Sequence, residues 1–136
     1  MAYDVKNISY LDLKKSTGIG VKIPFSENKV FTPVYTTKEQ TKYNIINFLL
    51  TDKRERIFSP NFGAGLRRRI FEQISQDTAE EIQTSLVTQI ESYFPNIRIN
   101  RLIVTGEPNT NTLTISFSYS ILNTNENDSV IVEVQK

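Results

Sequence analysis

The 136-residue chain has no histidine, no cysteine and no tryptophan, and only one methionine, five glycines and five prolines. Without His or Cys there is no Ser-His-Asp or Cys-His triad, no imidazole base and no thiolate nucleophile. Zinc sites built on imidazole or thiolate, disulfides and haem attachment are excluded for the same reason. An enzyme built from this chain would have carboxylates, Lys, Ser, Thr and Tyr to work with. No run approaches the ~20 apolar residues of a membrane span, and the opening MAYDVKNISY lacks the charged-then-apolar layout of a signal peptide. The expectation is a protein made in a cytoplasm and not inserted in a membrane. A net charge of +1 also lacks the basic excess of a dedicated nucleic-acid binder.

What is present is a 38% apolar chain, long enough for one domain that buries roughly two-thirds of its unfolded surface. Its charge is divided. Residues 1–75 carry 13 Lys plus Arg against 7 Asp plus Glu, whereas residues 76–136 carry 3 against 8. Such a division suits either a polarised molecule stacked against neighbours or two halves whose charges interleave on one surface.

Residues 1–35 have no helical stripe and are punctuated by Gly18, Gly20, Pro24 and Pro33, which reads as an extended arm with short strands near Ile19–Ile23 and Lys29–Phe31. Residues 36–136 read as one α+β domain. A helix is expected from Thr37 to about Thr51, opened by a capping box of Thr37 and Gln40, with Ile45, Ile46, Phe48 and Leu49 as its apolar stripe. A turn-rich segment follows, and then a short helix marked by Leu66, Ile70, Phe71 and Ile74. A third helix has Asp77, Thr78, Glu80 and Glu81 in its first turn, a face of Ala79, Ile82, Leu86, Ile90 and Tyr93 or Phe94, and Pro95 as its stop.

Beyond Pro95 the period falls to two. Leu113, Ile115, Phe117, Tyr119 and Ile121 alternate with Ser and Thr, as in a strand buried on one face. Ile97–Thr105 and Ser129–Gln135 flank it, which makes an antiparallel three-stranded meander, with the arm as a candidate extra strand. Ile97 and Ile99 are out of phase with Leu102 and Val104, which predicts a bulge near Asn100 and Arg101. The fold class is therefore α+β, with two or three helices packed on a small antiparallel sheet.

Three segments carry a family resemblance. In Thr51–Gln73, Arg54-Glu55-Arg56, Phe58, Pro60, Phe62, Gly63, Leu66 and Ile70-Phe71-Glu72 stand where the gpW/gp25-like proteins of contractile tails carry a charged turn, an aromatic, Pro-x-Phe-Gly and a helix. Gly18–Phe25, GIGVKIPF, is similar to that family's arm, and Tyr93-Phe94-Pro95-Asn96-Ile97 is similar to its aromatic-Glu-Pro-Arg-Ile corner. Phe94 replaces the family's Glu and Asn96 its Arg; Arg98 is a nearby cation.

The resemblance implies a virion baseplate component present as six copies, made in the host bacterial cytoplasm. Its implied partners are baseplate wedge proteins, the tail sheath protein and, less directly, the tail tube. It further implies a wedge-facing corner at Phe94, Pro95, Asn96, Ile97 and Arg98, and no catalytic, cofactor or metal site. The equivalent component of a type VI secretion or extracellular injection apparatus has the same signature.

Two chemistries compete with a structural role. Gly63-Ala64-Gly65 is not part of a GxxxxGK[ST] or GxGxxG motif, so a phosphate cradle has no support. A lysozyme-like glycoside hydrolase needs two acids ~5 to 9.5 Å apart with one pKa raised. Asp52, Glu55 and Glu72 are the candidates, but Glu55 sits among Lys53, Arg54 and Arg56, whose charges favour the ionised form. Arg67, Arg68 and Arg69 spread around a helix, as a solvated face or as a contact with acidic neighbours.

The last strand suggests a different function. Val130, Ile131, Val132, Glu133 and Val134 place β-branched residues on both faces with one charge, which protects a free sheet edge poorly. As an edge it can accept a strand of another chain, which the resemblance implies is a strand of the first sheath ring; alternatively it pairs with the arm or lies mid-sheet.

Overall fold

The computed structural model describes residues 10–13, 16–23, 31–72 and 74–135. A 3₁₀ turn, Tyr10–Leu13, precedes two short strands, β1 (Gly20–Val21) and β2 (Pro33–Val34). Helices α1 (Thr37–Leu50), α2 (Leu66–Phe71) and α3 (Gln76–Tyr93) follow, and then strands β3 (Ile97–Glu107), β4 (Thr112–Ile121) and β5 (Glu126–Gln135).

The strands β3, β4 and β5 form the expected antiparallel meander, with β4 in the centre. Its register follows the alternation: Leu113, Ile115 and Phe117 of β4 lie opposite Val134, Val132 and Val130 of β5. All six are buried. The pairing of β3 with β4 shifts between Ile99 and Arg101, where the out-of-phase apolar residues require a bulge. Asn111 and Asn125 close the two hairpins at φ 49° and 51°, a left-handed conformation that Asn tolerates better than most residues.

The helices cover one face of this sheet. Ala79, Ile82, Leu86 and Ile90 turn α3 toward the core, and that helix packs on β3, while α1 and α2 lie against β5. Ile45, Phe48 and Leu49 are the buried stripe of α1. Tyr119 is wholly buried and stacked on Phe117. Burial, and next the negative charge of its cross-strand partner Asp128, push its phenol pKa well above the usual tyrosine range. Ile74 is buried but lies beyond the end of α2, so it packs from the connection and not as part of that helix.

The arm lies on the domain, by different contacts from those the sequence suggests. β1 and β2 form a sheet of their own, so among the described residues the arm does not extend the meander. The strand expected at Lys29–Phe31 falls partly outside the described residues; Phe31 itself is not in a strand, and β2 begins at Pro33. The helix cap is also displaced. Thr36, not Thr37, is the N-cap of α1, and its hydroxyl accepts from the Glu39 amide. Gln40 makes no capping box, because its side-chain Nε2 donates to the Ile19 carbonyl at 2.8 Å. The Thr37 amide and hydroxyl donate instead to the two carboxylate oxygens of Asp12, at 2.7 and 2.9 Å. A carboxylate here satisfies an unpaired donor and meets the positive end of the helix dipole. The arm is thus fixed to α1 by polar contacts.

The charge halves interleave, at least in part. Arg69 pairs with Glu81 at 3.7 Å as well as with Glu72 at 3.8 Å, and Lys42 pairs with Asp128 at 3.8 Å.

Candidate functional site: a free sheet edge, an aromatic corner and a stiff loop

The outer side of β5 is unpaired among the described residues, since the meander ends there and β1 and β2 pair only with each other. The edge is ten residues long and contains neither Pro nor Lys. Val130, Val132 and Val134 point into the core, while Ile131 is 70% exposed on the opposite face and Glu133 is exposed beside it. In an antiparallel edge strand, alternate residues direct their N–H and C=O groups away from the neighbour. The result is an unbroken row of donors and acceptors on a strand whose inner side chains are already held by the core.

The corner after α3 is built on aromatic rings. Phe48 is surrounded by Phe62, Tyr93 and Phe94, with ring centroids at 5.3, 5.4 and 5.8 Å, and Phe62 also meets Tyr93 at 5.4 Å. Offset and edge-to-face arrangements of this kind add to the area they bury. Of the corner residues, Pro95, Asn96 and Arg98 are exposed, Phe94 is half-buried and Ile97 is buried. The Asn96 carbonyl accepts from the Leu122 amide at 3.0 Å, which ties the corner to the β4–β5 hairpin. The surface available here is thus Pro95, Asn96, Arg98 and the outer part of Phe94, while Ile97 holds the corner in place from within.

The loop between α1 and α2 is cross-braced. The Arg54 amide donates to the Pro60 carbonyl at 2.7 Å, Phe62 to Ser59 at 3.1 Å and Ala64 to Phe48 at 3.1 Å. The Asp52 amide donates to a Glu55 carboxylate oxygen at 2.8 Å, and Lys53 Nζ donates to the Asn61 carbonyl at 3.0 Å. Gly63 has φ 113° and passes so close to Thr51 that a Cβ would collide with its carbonyl oxygen, so the signature glycine is required by backbone geometry. Arg56 lies over the Phe62 ring at 4.1 Å. At the tip, Ile57 and Phe58 are 90% and 99% exposed.

Sequence reasoning assigned Phe58 to the family signature but missed that Ile57 and Phe58 together form an exposed tip. The available signal was an apolar pair between charged and turn-forming residues with no periodic partner. Asp12 as the anchor of α1 was missed too, because no local pattern links residues 25 positions apart.

The acids considered for hydrolysis are dispersed in role. Glu55 braces the loop, and Glu72 pairs with Arg69. A groove of about 370 Å³ beside α2 and α3 has Glu72 as its one lining carboxylate, set among Lys53, Arg68 and Arg69. Glycoside hydrolysis requires a pair of acids, and this groove supplies one. Arg67 and Arg68 are exposed, whereas Arg69 is drawn into its ion pairs. Among the described residues there is no cluster of metal-ligating side chains, and no helix is long and apolar enough to cross a membrane.

Comparison with known proteins agrees with this architecture. A candidate tail lysozyme of Geobacter sulfurreducens shares the fold with a TM-score of 0.66 and 21% identity, over 76% of this chain and 95% of that one. A chain of the anti-feeding prophage baseplate matches with a TM-score of 0.50 and 16% identity, over 82% of this chain and 78% of that one. No curated protein sequence matches. The family model described as baseplate wedge protein gp25 matches residues 36–126, which include α1, the braced loop, α2, α3 and most of the meander. The chain belongs to the baseplate wedge protein gp25 family.

Proposed function

We propose that the protein is a non-catalytic structural component of a contractile-tail baseplate that joins the wedge to the first sheath ring and templates sheath assembly. The observation that carries this reading is the unprotected outer edge of β5. A strand from a sheath subunit, added along Val130–Val134, would gain main-chain hydrogen bonds from the edge and specificity from side chains such as Ile131. The register of that added strand would then set the starting register of the sheath. The corner at Phe94–Arg98 is the proposed wedge contact. Phe94 and Asn96 place apolar packing and a neutral amide where the family has a charged pair, with Arg98 as the exposed cation. The fold shared with the anti-feeding prophage baseplate suits the same role in an extracellular injection apparatus as in a phage tail.

The test uses two adjacent substitutions, Ile131→Pro and Val132→Pro. Because amides alternate in direction, one of the two removes an outward N–H and leaves the meander intact, as proline does on edge strands. Thermal unfolding identifies the folded variant, which is then added to preformed baseplates with sheath protein. Sheath polymerisation should fail or lose register. Normal sheath on baseplates that carry the folded variant would overturn the edge assignment.

A further inference from the structure

We infer that the tip of the α1–α2 loop is a second docking element, in which Ile57 and Phe58 insert into an apolar cleft rimmed by Asp and Glu on another protein of the baseplate. The inference concerns a surface apart from β5 and does not depend on the sheath-templating reading.

Two adjacent large apolar side chains at 90% and 99% exposure are costly in water, and in a slack loop they would fold back onto the domain. The bracing prevents that. The backbone bonds from Arg54 to Pro60 and from Phe62 to Ser59 close the loop beneath the tip, and Phe62 fastens its base into the aromatic cluster. The exposed pair is therefore held in a fixed shape before any partner arrives. Rigid apolar anchors that lose little entropy on binding are the kind of group that dominates interface energetics.

The charge around the tip selects the partner. Arg54 and Arg56 flank the apolar pair, and neither forms an ion pair among the described residues. Arg56 is nonetheless held in place by its contact with the Phe62 ring. An acidic rim would be attracted to these two guanidiniums while the apolar pair fills the cleft.

Among the described residues, the two main grooves of a second copy do not meet that description. The groove lined by Lys53, Arg68 and Arg69 would repel the arginines. A cavity of about 440 Å³ between the start of α3 and the end of β3 has no acidic lining residue.

The experiment uses baseplate sub-assemblies isolated from cells that lack this chain, to which purified full-length protein is added and binding is measured by co-sedimentation. Ile57→Ser with Phe58→Ser should weaken binding about 30-fold or more, the scale of an interface hot spot. Arg54→Gln with Arg56→Gln should weaken it about 3- to 10-fold at low salt, with the difference closing as salt rises. The double serine variant should unfold at the wild-type temperature, since it replaces exposed side chains, and the double glutamine variant slightly below it, since Arg56 loses its contact with the Phe62 ring. The folded β5 proline variant should bind these sub-assemblies normally, which separates failure of this inference from failure of the edge assignment.

Unchanged binding by the double serine variant, or no binding by wild type, overturns the inference. Wild-type binding to phosphatidylglycerol vesicles that the serine pair abolishes, with sub-assembly binding retained, assigns the tip to a membrane and also overturns it. Self-association of purified wild type that the serine pair dissolves assigns the tip to a second copy, with the same consequence.

Discussion

Phe58 and Phe62 lie four residues apart in one loop, yet one is almost wholly in water and the other packs edge-on against Phe48 and Tyr93. Their local sequence contexts are similar, both in a turn-rich stretch with Ser, Pro and Asn around them. The difference comes from the brace between them. The turn through Pro60 reverses the chain so that Phe62 returns to the end of α1 while Phe58 stays at the apex. Within one family-signature segment, therefore, some residues hold the fold together and others are left in water. Residue type does not separate the two.

Truncating the centre of the aromatic cluster should have the largest effect. Phe48→Ala removes a fully buried ring that contacts three others, and should cost about 3–5 kcal/mol in chemical denaturation. Gly63→Ala comes next. It strains a backbone at φ 113° and collides with Thr51, at a cost of about 1–3 kcal/mol from the dihedral alone, with wild-type behaviour at the tip lost as the brace shifts. Phe58→Ala should be the smallest, within about 0.5 kcal/mol of wild type in the isolated protein, because the ring has almost no contacts to lose. A stability loss at Phe58 comparable to that at Phe48 would break the contrast and show that the tip packs on the domain in solution.

The two edges of the meander make a related comparison. β3 is interrupted by its bulge between Ile99 and Arg101, a feature that twists and interrupts an edge, whereas the pairing of β5 with β4 is continuous from Glu126 to Gln135. Of the two, β5 is the one suited to carry an unbroken added strand, in line with a structural role in the baseplate.

Much of this was legible in the chain. Alternation of Leu113, Ile115, Phe117, Tyr119 and Ile121 with Ser and Thr specifies a strand covered on one face, and the phase change before Leu102 specifies the bulge. The spacing of Ala79, Ile82, Leu86 and Ile90 specifies the buried face of α3. These features are local and periodic, and the hydrophobic effect acts on them in the same way wherever the segment lies. Contacts between distant segments were not legible. Asp12 at the start of α1, Gln40 on the Ile19 carbonyl and the displacement of the cap to Thr36 each depend on where the arm comes to rest.

By itself, then, the sequence determined the element types, the inward faces, the meander and the family, because these follow from periodicity, turn chemistry and a signature block. Only the tertiary structure decided that the described part of the arm leaves the β5 edge unpaired, which loop aromatic is buried and which pair is presented at the tip. Those outcomes depend on closure by long-range hydrogen bonds and on packing between segments far apart in the chain.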